Sequence, residues 1–106
     1  MIDIFIDFSV FSETSAIGRV SGELKVPFQP CIGDTISFSF PDLELSSLSN
    51  DGFSGICVVE SRILVPGEGF ESVSFCLSSM HVRNSELAIS LMKSLVSTYN
   101  LFIELY

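Results

Sequence analysis

Ile2, Ile4, Ile6, Phe8 and Val10 alternate with Asp3, Phe5, Asp7 and Ser9 at the start of the chain. Side chains on extended backbone point to opposite sides in turn, so this rhythm specifies a strand with one buried face. Such a strand is not stable alone. It needs backbone partners at its edges and apolar cover over its greasy side. Phe5 is the one apolar residue on the polar face, and that makes it a candidate contact residue.

A partner follows at once. Over residues 17–26, Val20, Leu24 and Val26 oppose Arg19, Ser21, Glu23 and Lys25. Gly18 and Gly22 fall on the apolar face, which suggests a bend or the close approach of other backbone. Charge selects the register of this hairpin. Placing Asp3 opposite Lys25 and Ile4 opposite Leu24 avoids a clash between Asp3 and Glu23.

Pro27 and Pro30 bracket a turn, and residues 35–40 read as a third strand with Ile36, Phe38 and Phe40 inward. Pro41 ends it. Residues 41–54 read as a long loop that carries Asp42, Glu44 and Asp51, with a turn at Asn50-Asp51-Gly52. A fourth strand is expected over 55–65 and a fifth over 71–79, joined by Pro66-Gly67-Glu68-Gly69. The preferred register sets Val59 against Leu77 and Ile63 against Val73, leaving Glu60, Arg62, Ser72 and Ser74 outside.

Asn84 or Ser85 can cap a helix over about 84–98. Ala88, Leu91, Met92, Leu95, Val96 and Tyr99 form its apolar stripe. Asn100 suits a left-handed stop, and residues 101–106 read as a terminal strand. Nothing marks a linker or repeat, so residues 1–106 are expected to form a single domain. The expected fold class is α+β. It has an antiparallel, strongly curled sheet or small barrel of five to six strands, and one C-terminal amphipathic helix followed by a strand.

Charge narrows the function. Lys and Arg number 5 against 13 Asp and Glu, a formal net charge of −8. The bases are scattered, which disfavours nucleic acid and anionic membranes and leaves a basic protein as the natural partner. Only 17% of residues are charged, and Ser supplies much of the polar surface. A Ser-coated sheet face loses its water cheaply on docking. Cys31, Cys57 and Cys76 are an odd, widely spaced set with no zinc-like pairing, and they read as reduced, mostly buried thiols. Asp3 and Asp7 break the apolar run at the N-terminus, so no signal peptide is read there. No stretch approaches a membrane span, and the cytoplasm is the expected location.

The catalytic motifs fail on inspection. His81 is the only histidine, and a triad cannot be argued from it. Gly52-Phe53-Ser54-Gly55 lacks the final glycine spacing of a nucleophile elbow. Asn50-Asp51-Gly52 has no distal glutamate of a calcium loop. Gly67 and Gly69 lack the lysine and helix of a phosphate loop. No enzyme activity, metal or cofactor is therefore expected.

The leading expectation is a small acidic protein-binding module of the inhibitor or immunity type that neutralises a basic toxin or enzyme. Asp42, Glu44, Asp51 and Phe5 are its candidate partner-binding residues. One alternative is a structural subunit that forms a homodimer or larger homo-oligomer through a sheet edge or face. The other is a barrel that binds a small apolar ligand, lined by Phe38, Phe40 and Phe75.

Overall fold

The computed structural model describes residues 1–13, 15–41, 55–66 and 71–106. The elements follow the order β1 (Ile2–Ser12), β2 (Ser15–Val26), β3 (Thr35–Ser37), β4 (Ile56–Pro66), β5 (Glu71–Leu77), β6 (Met80–Val82), α1 (Ser85–Tyr99) and β7 (Phe102–Leu105). The fold is α+β, and the described residues form one seven-stranded sheet with a helix on one of its faces.

β1 is the axis of the sheet. It pairs with β2 along one edge, and its other edge is shared by β5 and then β6. The β1–β2 register is the expected one, with Asp3 opposite Lys25 and Ile4 opposite Leu24. β5 and β6 both run parallel to β1, so the sheet is mostly antiparallel rather than wholly so. β2 occupies one edge of β1, so β5 and β6 take the other.

The sheet neither closes nor curls strongly; its strand order is an open path with β3 and β7 at its ends. This corrects the expected curled sheet or barrel and its five to six strands. The glycines behind that expectation have a different role. A Cβ on Gly18 would lie 2.7 Å from the Glu104 carbonyl oxygen and 2.8 Å from Met92 Sδ. Gly22 has φ +140° and faces Leu101. Both make room for the helix-to-β7 return rather than for curvature.

α1 crosses from β6 at one flank of the β1–β2 pair to β7 at the other. Asn84 caps it, its side-chain oxygen accepting the Leu87 N–H at 2.9 Å, a bond worth about 1 kcal/mol. Asn100 ends it in the left-handed region at φ 58°, and its N–H donates to the Val96 carbonyl. Ala88, Leu91, Met92 and Leu95 on the helix are buried in one cluster with Ile4, Ile6, Phe8, Val10 and Val20 of the sheet. Each large side chain buried there contributes roughly 1.5–3 kcal/mol.

Three strand readings need correction. The β3 ladder stops at Ser37, where residues 35–40 were expected to pair throughout. Beyond it the Phe38 N–H donates to the Gly55 carbonyl, and the Ser39 N–H to the Tyr99 hydroxyl at 2.6 Å. Phe38 and Phe40 are nonetheless buried. β5 ends at Leu77 and not at 79, and the short strand β6 follows it. The β4–β5 register holds at Val59 opposite Leu77, then shifts at Glu60. Arg62 therefore meets Phe75, and Ile63 meets Ser74 rather than Val73. The bulged residue turns the side chains of residues 61–64 over relative to the expected register.

Candidate partner-binding face

Residues paired across a ladder share a face, so the registers assemble the surface opposite α1 row by row. One row runs Ile63, Ser74, Phe5, Glu23 from β4 to β2. The next runs Ser61, Cys76, Asp7, Ser21, Phe102 from β4 to β7. Ser9, Arg19 and Glu104 follow, and Asp3 with Lys25 lies on the other side. No described element covers this face.

Its texture is apolar anchors set among serines and charges. Phe5 is 44% exposed, Ile63 48% and Phe102 73%, so all three keep substantial apolar area in water. Two ion pairs tie β1 to β2. Lys25 Nζ donates to Asp3 Oδ1 at 3.1 Å. Arg19 grips both carboxylate oxygens of Asp7, with Nε donating to Oδ1 at 2.8 Å. That hydrogen bond, with the charge of Asp7, holds the guanidinium proton still more firmly than usual. Both of these bases are thereby engaged. Glu23 has no ion pair among the described residues.

At one margin of the face lies a groove of about 610 Å³. Phe5, Glu23, Lys25 and Asp3 form its sheet side, and Asn100 and Phe102 form the side where the chain leaves the helix.

The residues singled out from the sequence divide sharply. Phe5 stands on the open face as its position in the alternation required. Asp42, Glu44 and Asp51, with the whole expected Asn50-Asp51-Gly52 turn, lie outside the described residues, as do Gly67, Glu68 and Gly69 of the second expected turn, whose Pro66 instead closes β4. Phe102 and Ile63 escape the sequence reading. The alternation in residues 101–106 already sets Phe102 with Glu104, but which face they join depends on the helix crossing. Alternation alone puts Ile63 inward, because the bulge at Glu60 leaves no sequence mark.

The chemistry-bearing residues are dispersed. His81 is exposed on β6 and stacks on Phe11, ring centres 5.2 Å apart. Cys57 is fully buried, and loss of water pushes its thiol up to about 12, against the opposing effect of a hydrogen bond with Ser78. Cys31 is exposed and Cys76 half-buried, so burial holds for only one of the three thiols. Among the described residues no cluster of three His, Cys, Asp or Glu side chains could hold a metal ion. Phe38, Phe40 and Phe75, expected to line a barrel interior, are packed in the core cluster. No helix among the described residues is long and apolar enough to cross a membrane.

Comparison with known proteins finds no family model, no curated protein and no solved structure that matches this chain.

Proposed function

We propose that this chain is a small acidic protein-binding module whose open sheet face covers a basic surface on another protein, in the manner of an inhibitor or immunity-type protein. One observation carries the reading. The face opposite α1 presents Phe5, Ile63 and Phe102 among serines, with Arg19 and Lys25 already engaged by aspartates. Exposed aromatic anchors ringed by small polar residues are the anatomy of a docking surface. The net charge of −8 steers such a face toward a basic partner. The role assigns the chain no catalysis of its own.

The test uses the intact chain as bait, beside a Phe5→Ser/Ile63→Ser variant. Both side chains are exposed, and circular dichroism checks that the fold is kept. The expected result is a basic protein retained by the parent chain, released by salt and lost from the variant. Truncating such anchors costs about 2 kcal/mol or more when they are central. Full retention on the variant, or an acidic partner, would sink the proposal.

A second reading has one observation in its favour. β7 is an edge strand with no strand on its outer side among the described residues, and Phe102 and Leu105 on it are exposed. Two copies could pair there, though each carries a charge of −8 into the contact. Light scattering decides: a strict monomer at high concentration removes this reading.

A further inference from the structure

β2 spans 12 residues, but β7 pairs with only its residues 18–21. Over residues 22–26 β2 has β1 on one side. On its other side it has no backbone partner among the described residues. Alternate residues of an antiparallel strand aim their N–H and C=O groups away from a given neighbour. Those groups along residues 22–26 are therefore free to receive a strand.

The edge is open for a local reason. Asn100 takes the left-handed conformation at the end of α1, and Leu101 then seats over Gly22. The chain can join the sheet only from Phe102 onward. The groove of about 610 Å³ flanks this unpaired stretch, with Phe5 and Phe102 among its walls.

We infer that residues 22–26 of β2 form a strand-addition site for an extended, basic segment of the partner protein. This rests on the protein-binding reading given above and adds the mode of contact. The segment hydrogen-bonds to the free edge, sets a Lys or Arg beside Glu23, and places an apolar side chain in the groove against Phe5 and Phe102. Main-chain bonds supply affinity in such additions, and alternate side chains supply choice. Charge selects the occupant. Among the described residues Glu23 lacks a cation and Asp3 has only Lys25, at 3.1 Å. An acidic segment would bring like charge to Glu23, and a second copy of this chain would carry a net charge of −8 into the contact.

The probes are three labelled peptides titrated into the intact chain: Lys-Thr-Phe-Thr-Lys, which carries its lysines and its aromatic on one face, its charge-reversed form Glu-Thr-Phe-Thr-Glu, and the lysine peptide N-methylated at alternate amides in either phase. Fluorescence anisotropy reads binding, and amide chemical shifts locate it. The lysine peptide should bind and move the amides of residues 22–26 and Phe102. Methylation in one phase should abolish binding, and Glu23→Lys should weaken it by about tenfold or more. Overturning results are no binding by the lysine peptide at about 1 mM, equal binding by its acidic counterpart, or shifts confined to other strands. The two proposals fail separately. If the captured partner holds Glu23→Lys at full strength but loses Phe5→Ser/Ile63→Ser, strand addition falls while the face remains. If it keeps Phe5→Ser/Ile63→Ser, the face itself is wrong.

Discussion

Arg19 on β2 grips Asp7 on β1 through two nitrogens, although the residue directly opposite Asp7 is Ser21. The pair is diagonal, one of the long contacts that a twisted antiparallel ribbon brings within reach. Both side chains are solvent-accessible, at 47% and 25%, so water and salt screen most of the attraction. Asp7→Asn is expected to cost no more than about 1 kcal/mol in urea unfolding, and less at high salt. A loss of twice that size, insensitive to salt, would mean that the pair positions the hairpin rather than decorating it.

Gly18 is a harder constraint. The nearest neighbour of a Cβ there is backbone, the Glu104 carbonyl at 2.7 Å, with Met92 Sδ at 2.8 Å behind it. A methionine end can swing aside, but a carbonyl in the β2–β7 ladder cannot. Gly18→Ala should destabilise by about 1–3 kcal/mol, as overpacked cores do. The strain should appear first as faster hydrogen exchange in β7. Parent-like stability in calorimetry would show that the terminal strand yields at little cost.

Legibility divides along a physical line. Signals carried by one residue and its near neighbours are readable. The alternation in residues 2–10 appears in β1, which runs on to Ser12, and the Asn84 cap and the Asn100 stop stand at the expected residues. So does the β1–β2 register, because Asp3 against Glu23 is a local charge conflict. What depends on a choice between distant edges is not readable. β5 and β6 take the free edge of β1 in parallel, and no residue in either strand announces that. The shift at Glu60 is similar: a bulge changes the count without changing the composition, and it sends Ile63 to the outer face. Of the candidate site, Phe5 is legible from its own strand. Phe102 requires knowing where the helix crosses.

Cys57 links burial to pH. Its thiol is fully buried and its pKa is pushed from 9.0 up to about 12 by loss of water. The unfolded chain therefore releases this proton near pH 9, while the folded chain holds it until about pH 12. In that window the native state binds more protons, so folding stability falls as pH rises, with a slope of up to about 1.4 kcal/mol per pH unit from this group. Below pH 9 the group has no effect. Cys57→Val keeps an apolar side chain of similar size and removes the titration. Urea unfolding of the two chains should diverge above pH 9 in favour of the valine variant. Parallel pH profiles would show that the thiol ionises in the folded protein as readily as in water.

Ser94 offers the reverse test, a group whose removal should help. It lies on the buried side of α1 at 4% exposure, and its hydroxyl has no hydrogen-bond partner among the described residues. Mid-helix serine usually returns its proton to a carbonyl one turn back or faces solvent; Ser94 does neither. A buried hydroxyl left unpaired costs about 1–3 kcal/mol relative to a satisfied one. Alanine removes that cost and adds a few tenths of a kcal/mol of helix propensity. It gives up only the contacts of one oxygen atom. Ser94→Ala should therefore raise stability by about 1 kcal/mol, seen as a higher urea midpoint with unchanged slope. Ser94→Val tests the space around it. If the site has no slack, the added methyls cost about 1–3 kcal/mol, so the valine variant should be less stable than the alanine one. A loss of stability in Ser94→Ala would mean that the hydroxyl holds a hydrogen bond in solution.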